Sequence, residues 1–311
     1  MSTNMLALPY RPMVDRVIIA LLTSPFAVNK LRNETKNKKY FDKLLYSLLP
    51  ADVGIEIEVP YNSRSKIKLD ATYDGYYEDK CKNVIERIVT LDMHKKSLLK
   101  GVNDRPLKLH VDGNIPEITH HMPKGKLYKH IWAIFETLNS TDVVANQGGS
   151  IHYHIDVSKF INFKQLSNCR GSFGDSAYHK MIYKNKNLMS LGKNINKIML
   201  RYFDFIVHTI FDYKDGGNHF HAKRNSKTPA AVLFYLTAAI GKQSIQPRID
   251  EFGTVEFRMS KCILNYTRIM KEILIAQLLI ACAKKGGTFD YKKAKKIYNY
   301  SKNVRRFETA A

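Results

Sequence analysis

Four short segments of the chain alternate strictly between apolar and polar side chains, and that alternation restricts each of them to an extended strand. They are Gly54-Ile55-Glu56-Ile57-Glu58-Val59, Leu107-Lys108-Leu109-His110-Val111-Asp112, Gly149-Ser150-Ile151-His152-Tyr153-His154-Ile155-Asp156 and Thr254-Val255-Glu256-Phe257-Arg258-Met259. In a strand, side chains two apart share a face, so each segment turns apolar residues one way and polar residues the other. The polar faces collect glutamates, histidines, aspartates and an arginine, which are the residue types that bind hard cations and phosphates. The expectation is a sheet with one face equipped for chemistry.

Around these strands the chain reads as helical. Apolar residues at helical spacing predict helices from Val14 to Leu22, Tyr40 to Leu49, Lys126 to Leu138, Asn194 to Tyr213 and Leu264 to Ala283. Asn29 to Lys39 reads as a basic, polar stretch, and Pro50 ends the third segment. Trp132 lies off the apolar stripe of its helix and is read as a packing residue. Ile115 to Ile118 resumes as a short strand whose Pro116 marks an edge or a strand start, and Ile249 to Met259 reads as one strand. Strands scattered among helices, with no internal repeat and no linker, predict an α+β fold on a mostly antiparallel sheet backed by helices.

The chain of 311 residues has four cysteines, Cys81, Cys169, Cys262 and Cys282, without C-x-x-C spacing. They read as small buried hydrophobes in a reducing compartment rather than as a zinc knuckle. The longest apolar stretch, Ile273 to Ala283, is interrupted by Gln277 and is too short to span a bilayer, so no membrane partner is expected. Arg16 before Val17-Ile18-Ile19-Ala20-Leu21-Leu22 faintly resembles a signal peptide, but Asp15 sits beside it and no cleavage site follows; it reads as a helix of the fold. The formal charge of +22 creates a field that attracts nucleotides, nucleic acid or other polyanions. From Lys284 to Ala311 nine cations face only Asp290 and Glu308, a net seven of those charges. A solvated Lys-rich helix explains this as well as a polyanion contact does.

Each polar set has a chemical and an ordinary reading. Glu56 and Glu58 on one face repel one another unless cations or protons intervene, which implies a divalent metal in a partly buried site and nothing on an open strand. His152, His154 and Asp156 have the H-x-H spacing of zinc hydrolases and equally suit a half-exposed sheet face. Gly148-Gly149-Ser150 lets a backbone approach a phosphate closely. Glu256 and Arg258 alone are a surface ion pair of little value. His120-His121, His219 and His221 read as surface histidines outside any strand, with His221 near Arg224 able to reach an anion. Four such strands together are hard to explain as independent coincidences.

The order of these motifs carries a resemblance. G-x-E-x-E at Gly54 to Glu58, Asp112-Gly113-Asn114 running to Glu117-Ile118, Ser150-Ile151-His152-Tyr153-His154 and Val255-Glu256-Phe257-Arg258 followed by Asn265-Tyr266 resemble the carboxylate–amine ligases of the glutamine synthetase and glutamate-cysteine ligase fold. The likeness is strongest to the amidoligase family of bacterial and phage genomes, and it covers Asp52 to Ala283 by motif order. Asn114 departs from that pattern, which has Ser there. The resemblance implies a curved, mostly antiparallel sheet and an ATP-dependent ligase using Mg²⁺ or Mn²⁺ on small-molecule or peptide carboxylates and amines. It implies an N-terminal helical segment over 1–50 packed on a ligase-like catalytic domain over 51–283, then a basic tail over 284–311. It further implies the cytoplasm, the host's for a phage-encoded chain. By the same likeness Glu56, Glu58, Glu117, Glu256 and His152 are metal ligands. His152 and His154 are nucleotide contacts, Arg258 grips phosphate or carboxylate, and Asp112 or Asp156 accepts the amine proton; Arg224, near His221, is expected as a further nucleotide contact. Two alternatives remain: a zinc-dependent hydrolase on the HxHxD strand, and a nonenzymatic basic nucleic-acid-binding or virion protein on a ligase scaffold.

Overall fold

The computed structural model describes residues 12–58, 108–112, 115–139, 150–162, 184–212, 245–248, 253–261 and 263–308. The Gly113-Asn114 turn, Arg224, His219, His221, Cys81, Cys169 and Cys262 lie outside them, as does nearly all of the polar stretch from Asn162 to Tyr183. Three helices open the chain: α1 (Met13–Thr23), α2 (Pro25–Glu34) and α3 (Lys38–Leu48). The second falls largely in the stretch read as merely polar. Its start signal is Ser24-Pro25: the Ser24 hydroxyl accepts the Ala27 N–H at 3.1 Å and Pro25 supplies a preset φ at the first turn. Capping chemistry, not apolar spacing, announces this helix.

The six strands are β1 (Val53–Glu58), β2 (Lys108–Asp112), β3 (Ile115–Met122), β4 (Ser150–Asp156), β5 (Ile245–Arg248) and β6 (Thr254–Lys261). They form one antiparallel sheet in the order β2-β3-β1-β4-β6-β5. Of the strand read from Ile249 to Met259, the part from Thr254 is β6, preceded by Gly253 at φ +64°, and 249–252 lie outside the described residues. Between the strands run α4 (Leu127–Asn139) and α5 (Lys186–Phe203), the latter continuing as a π-helical segment from Asp204 to Ile210. Two helices follow: α6 (Tyr266–Lys284) and α7 (Tyr291–Glu308). Among the described residues no helix is long and apolar enough to cross a membrane.

One face of the sheet is apolar: Val53, Ile55, Ile57, Ile151, Tyr153, Ile155, Val255 and Phe257 are all buried in a single hydrophobic cluster that also takes in α1, α5 and α6. Helix α6 is the centre of the helical layer, buried nearly from end to end and touching α1, α3, α4, α5, α7 and β4. Its Gln277, the break in the apolar run, is buried because its amide clamps both backbone groups of Ala51, donating at 2.8 Å and accepting at 3.0 Å. That clamp fixes the entry into β1. Within the segment from Lys284 onward, α7 is packed: its Ala294, Ile297 and Ser301 are buried, and Lys296 pairs with buried Asp15 of α1 at 3.2 Å.

Candidate functional site

Register brings the polar residues into rows on the other face. Glu56 lies between Thr119 of β3 and His152 of β4, and Glu58 faces Glu117. Gly54 lies opposite His154, which is in turn opposite Glu256. At Gly54 a Cβ would come within 3.1 Å of the His154 Cβ, tighter than nearly all real contacts, so the missing side chain lets the histidine lie across the strand. Strand β6 carries a bulge here: Tyr153 pairs with Phe257 and Ile151 with Ser260, so Arg258 and Met259 together face His152.

The result is a tight, buried cluster. His152 Nδ1 is 3.2 Å from a Glu56 oxygen and 3.3 Å from a Glu256 oxygen. His154 Nε2 is 2.9 Å from the other Glu56 oxygen, and Arg258 Nη1 donates to Glu256 at 2.8 Å. Glu256 is fully buried, as are both histidines, whereas Arg258 keeps 24% of its side chain exposed and can meet a ligand. One ligand atom each from Glu56, His152 and Glu256 lies within 4.8 Å of the others, a spacing that a single ion can bridge.

Ser150 decides which way the His152 ring is wired. The Glu58 carboxylate accepts both the Ser150 N–H at 2.9 Å and the Ser150 hydroxyl, whose own oxygen lies 2.7 Å from His152 Nε2. With its proton given to Glu58, the hydroxyl can only accept, so Nε2 carries hydrogen. His152 Nδ1 is then left between two carboxylates, Glu56 and Glu256. Among the described residues three carboxylates (Glu56, Glu58, Glu256) gather here against the guanidinium of Arg258 and two imidazoles. A divalent cation or protons on the imidazoles would balance them. Burial alone would raise the Glu56 carboxyl, but hydrogen bonds from His152 and His154 outweigh it and hold that group well below the usual carboxylate range.

The expected site residues therefore separate. Glu56, His152, Glu256, His154 and Arg258 come together; Glu58 stands behind His152, at 3.6 Å from Nε2, outside the triangle of ligand atoms. Glu117 joins the row of Glu58 by register, and Asp112 falls at the far end of β2, opposite Ile115. Asp156 is spent locally: its carboxylate accepts the Ser158 N–H at 2.9 Å in a turn that ends β4. His120 is no surface histidine. It lies on the core side of β3, buried, with Nε2 2.9 Å from His130 Nδ1 of α4. Sequence reasoning missed Ser150 as the residue that orients His152; its place two before the histidine, on the same face, was the available signal. It also missed Thr254, whose hydroxyl meets His154 Nδ1 at 3.1 Å.

Comparison of the chain with protein-family models, with curated proteins and with solved structures finds no match to any of them.

Proposed function

We propose that the protein is an ATP-dependent ligase that joins a carboxylate to an amine through an acyl phosphate. The observation that supports this most directly is the convergence of Glu56, His152 and Glu256 ligand atoms within 4.8 Å of one another beside an arginine. A divalent ion such as Mg²⁺ or Mn²⁺, held by Glu56, Glu256 and His152 Nδ1, would supply the charge that lets nucleotide phosphates approach these carboxylates. Ser150 and Glu58 hold the Nε2 side of the His152 ring, which leaves Nδ1 facing Glu56 and Glu256. Arg258 offers a planar fork beside the cluster, suited to a carboxylate or a transferring phosphoryl group. In the reaction the γ-phosphoryl passes to the substrate carboxylate and ADP leaves; the amine then attacks the acyl carbon, the C–O bond to phosphate breaks and the nitrogen loses a proton. The order of the motifs, which resembles the amidoligases, agrees with this chemistry. Substrates of the class are amino acids, peptides or polyamines.

A second reading rests on His154, whose Nε2 lies 2.9 Å from Glu56. Two imidazoles with two carboxylates also make a donor set for zinc and a hydrolase. Metal analysis of the purified protein separates the readings: stoichiometric zinc that survives dialysis favours the hydrolase, and loosely held Mg²⁺ the ligase. The decisive assay is phosphate release from ATP across panels of amino acids, peptides and polyamines. Amine-stimulated release that chelation abolishes is expected. Arg258→Lys should cut it tenfold or more, roughly, while ATP affinity persists, because the charge stays and the fork is lost. Equal activity of the lysine variant would reduce Arg258 to a generic cation, and release without any amine dependence would remove the ligase.

A further inference from the structure

Two helices remote from the metal-type cluster carry positive charge without compensation. Helix α5 has four cations and no acid between Lys186 and Phe203, and α7 has none from Tyr291 to Phe307. At 100° per residue Lys186, Lys193, Lys197 and Arg201 fall within about 80° of arc, all exposed. On α7 the exposed residues Lys292, Lys295, Lys296, Asn299 and Lys302 fall within about 120°, opposite buried Ala294, Ile297 and Ser301. Like charges at i,i+3 and i,i+4 destabilise a helix, and Lys193–Lys197–Arg201 and Lys292–Lys295–Lys296 all take that spacing. Among the described residues only Lys296 of the α7 face forms a salt bridge, with Asp15.

The two stripes flank a seam of aromatic rings. Tyr202 at the end of α5 stacks on Tyr291 at the start of α7, with centroids 5.4 Å apart and planes at 14°. Phe205 meets Tyr291 at 4.8 Å and Tyr298 at 6.2 Å, and all four rings are only half-buried. Cations already lie on this seam: Lys302 Nζ stands 4.5 Å from the Tyr298 centroid and the Arg201 guanidinium 5.5 Å from that of Tyr202. The helices are locked at this spacing, since the Asn194 side chain of α5 donates to Ala283 O at 2.8 Å where α6 turns toward α7. Two carboxylates border the patch, Asp204 and Asp290, and Asp290 is occupied in capping the Lys293 N–H at 3.0 Å.

We propose that this surface binds single-stranded nucleic acid, its phosphates meeting the lysine stripes and its bases stacking on the aromatic seam. Phosphate attraction alone would suit any polyanion, and a duplex keeps its base faces covered. Partly exposed rings between two cationic stripes suit unpaired bases, whose π-faces are free to stack. The partner is thus a strand with free π-faces.

Fluorescence anisotropy of the full-length protein with labelled oligo(dT) and oligo(U), across a salt series, tests this. Binding should tighten as salt falls, with a log–log slope of about −0.7 per phosphate contacted. An abasic strand of equal length should bind roughly tenfold more weakly, because it keeps the charge and loses the stacking. The exposed triple change Lys292→Gln, Lys295→Gln and Lys302→Gln should flatten the slope by about 2. Tyr298→Leu, folded by circular dichroism, should lose about fivefold with the slope unchanged. Equal affinity for the abasic strand would overturn the proposal in favour of a generic polyanion surface. Tighter binding to phosphatidylserine vesicles than to the oligonucleotides would overturn it in favour of a membrane.

Discussion

The sheet carries a buried ionic cluster on each of its two faces, and the two are wired in opposite senses. On the helical side Glu272 of α6 is fully buried, yet both of its oxygens are satisfied. Arg268 Nε donates to one at 2.9 Å, while Tyr153 Oη and Ser260 Oγ donate to the other at 2.7 and 2.6 Å. The surplus positive charge of Arg268 and Lys271 is taken by the carbonyls of Phe211 and Ile210, where the π-helical segment ends. On the opposite face, among the described residues, Glu56, Glu58 and Glu256 meet the guanidinium of Arg258 and two imidazoles. Burying charge is thus common to both clusters. What distinguishes the second is that one ligand atom each from Glu56, His152 and Glu256 lies within 4.8 Å of the others, a spacing that a single ion can bridge.

The sharpest way to break this comparison is to remove one carboxylate from each side. Glu272→Ala leaves Arg268 and Lys271 buried without their counter-ion and should cost about 3–5 kcal/mol of stability, read by chemical denaturation; an unchanged midpoint would make the two clusters equivalent. Glu256→Gln or Glu56→Gln should instead leave a folded chain whose turnover, in an assay that detects the wild type, falls by roughly a hundredfold. Near-normal turnover would take the strand face out of the chemistry.

Metal should sharpen the contrast. Mg²⁺ or Mn²⁺ at about a hundred times its dissociation constant should add about 2.7 kcal/mol to the wild type. That gain should vanish in Glu256→Gln, and a thermal shift unaffected by this variant would place the ion elsewhere. The smallest effect is with pH. Because the Glu56 carboxyl is held below its ordinary range, its ionised form stabilises the fold above the unfolded value of about 4.3, and that contribution is lost as pH falls toward the folded value. Without metal, the wild type should exceed Glu56→Gln by on the order of 1–2 kcal/mol near pH 6, with the gap closing in acid. A gap that is constant with pH would contradict the hydrogen-bonded carboxylate.

Period-two patterning made β1, β2, β4 and β6 legible, together with the face that gathers Glu56, His152, His154, Glu256 and Arg258. That pattern is local, and every residue on it obeys the same alternation. What depends on partners distant in sequence was not legible: Gln277 clamping Ala51 and Asp15 answering Lys296 join segments that no short window connects, and His120 turning inward to His130 depends on how the helix after β3 folds back. Glu58 was legible as a carboxylate on the right face but not as a support for His152, because its role is set by Ser150 on the neighbouring strand.

The bulge in β6 has a consequence for how this sheet can change. Residues two apart ordinarily point the same way, yet Arg258 serves the metal-type cluster and Ser260 the Glu272 clamp, because the doubled position between them reverses the phase of the strand. One strand thus keeps time for both faces. Shortening it by a single residue between Phe257 and Ser260 would remove the bulge, restore plain alternation and leave one residue opposite His152, with Ser260 still on the face of Phe257. Lengthening it would carry Ser260 out of step with Ile151, its partner on β4. Substitutions can tune either cluster separately, whereas an insertion here shifts one cluster against the other.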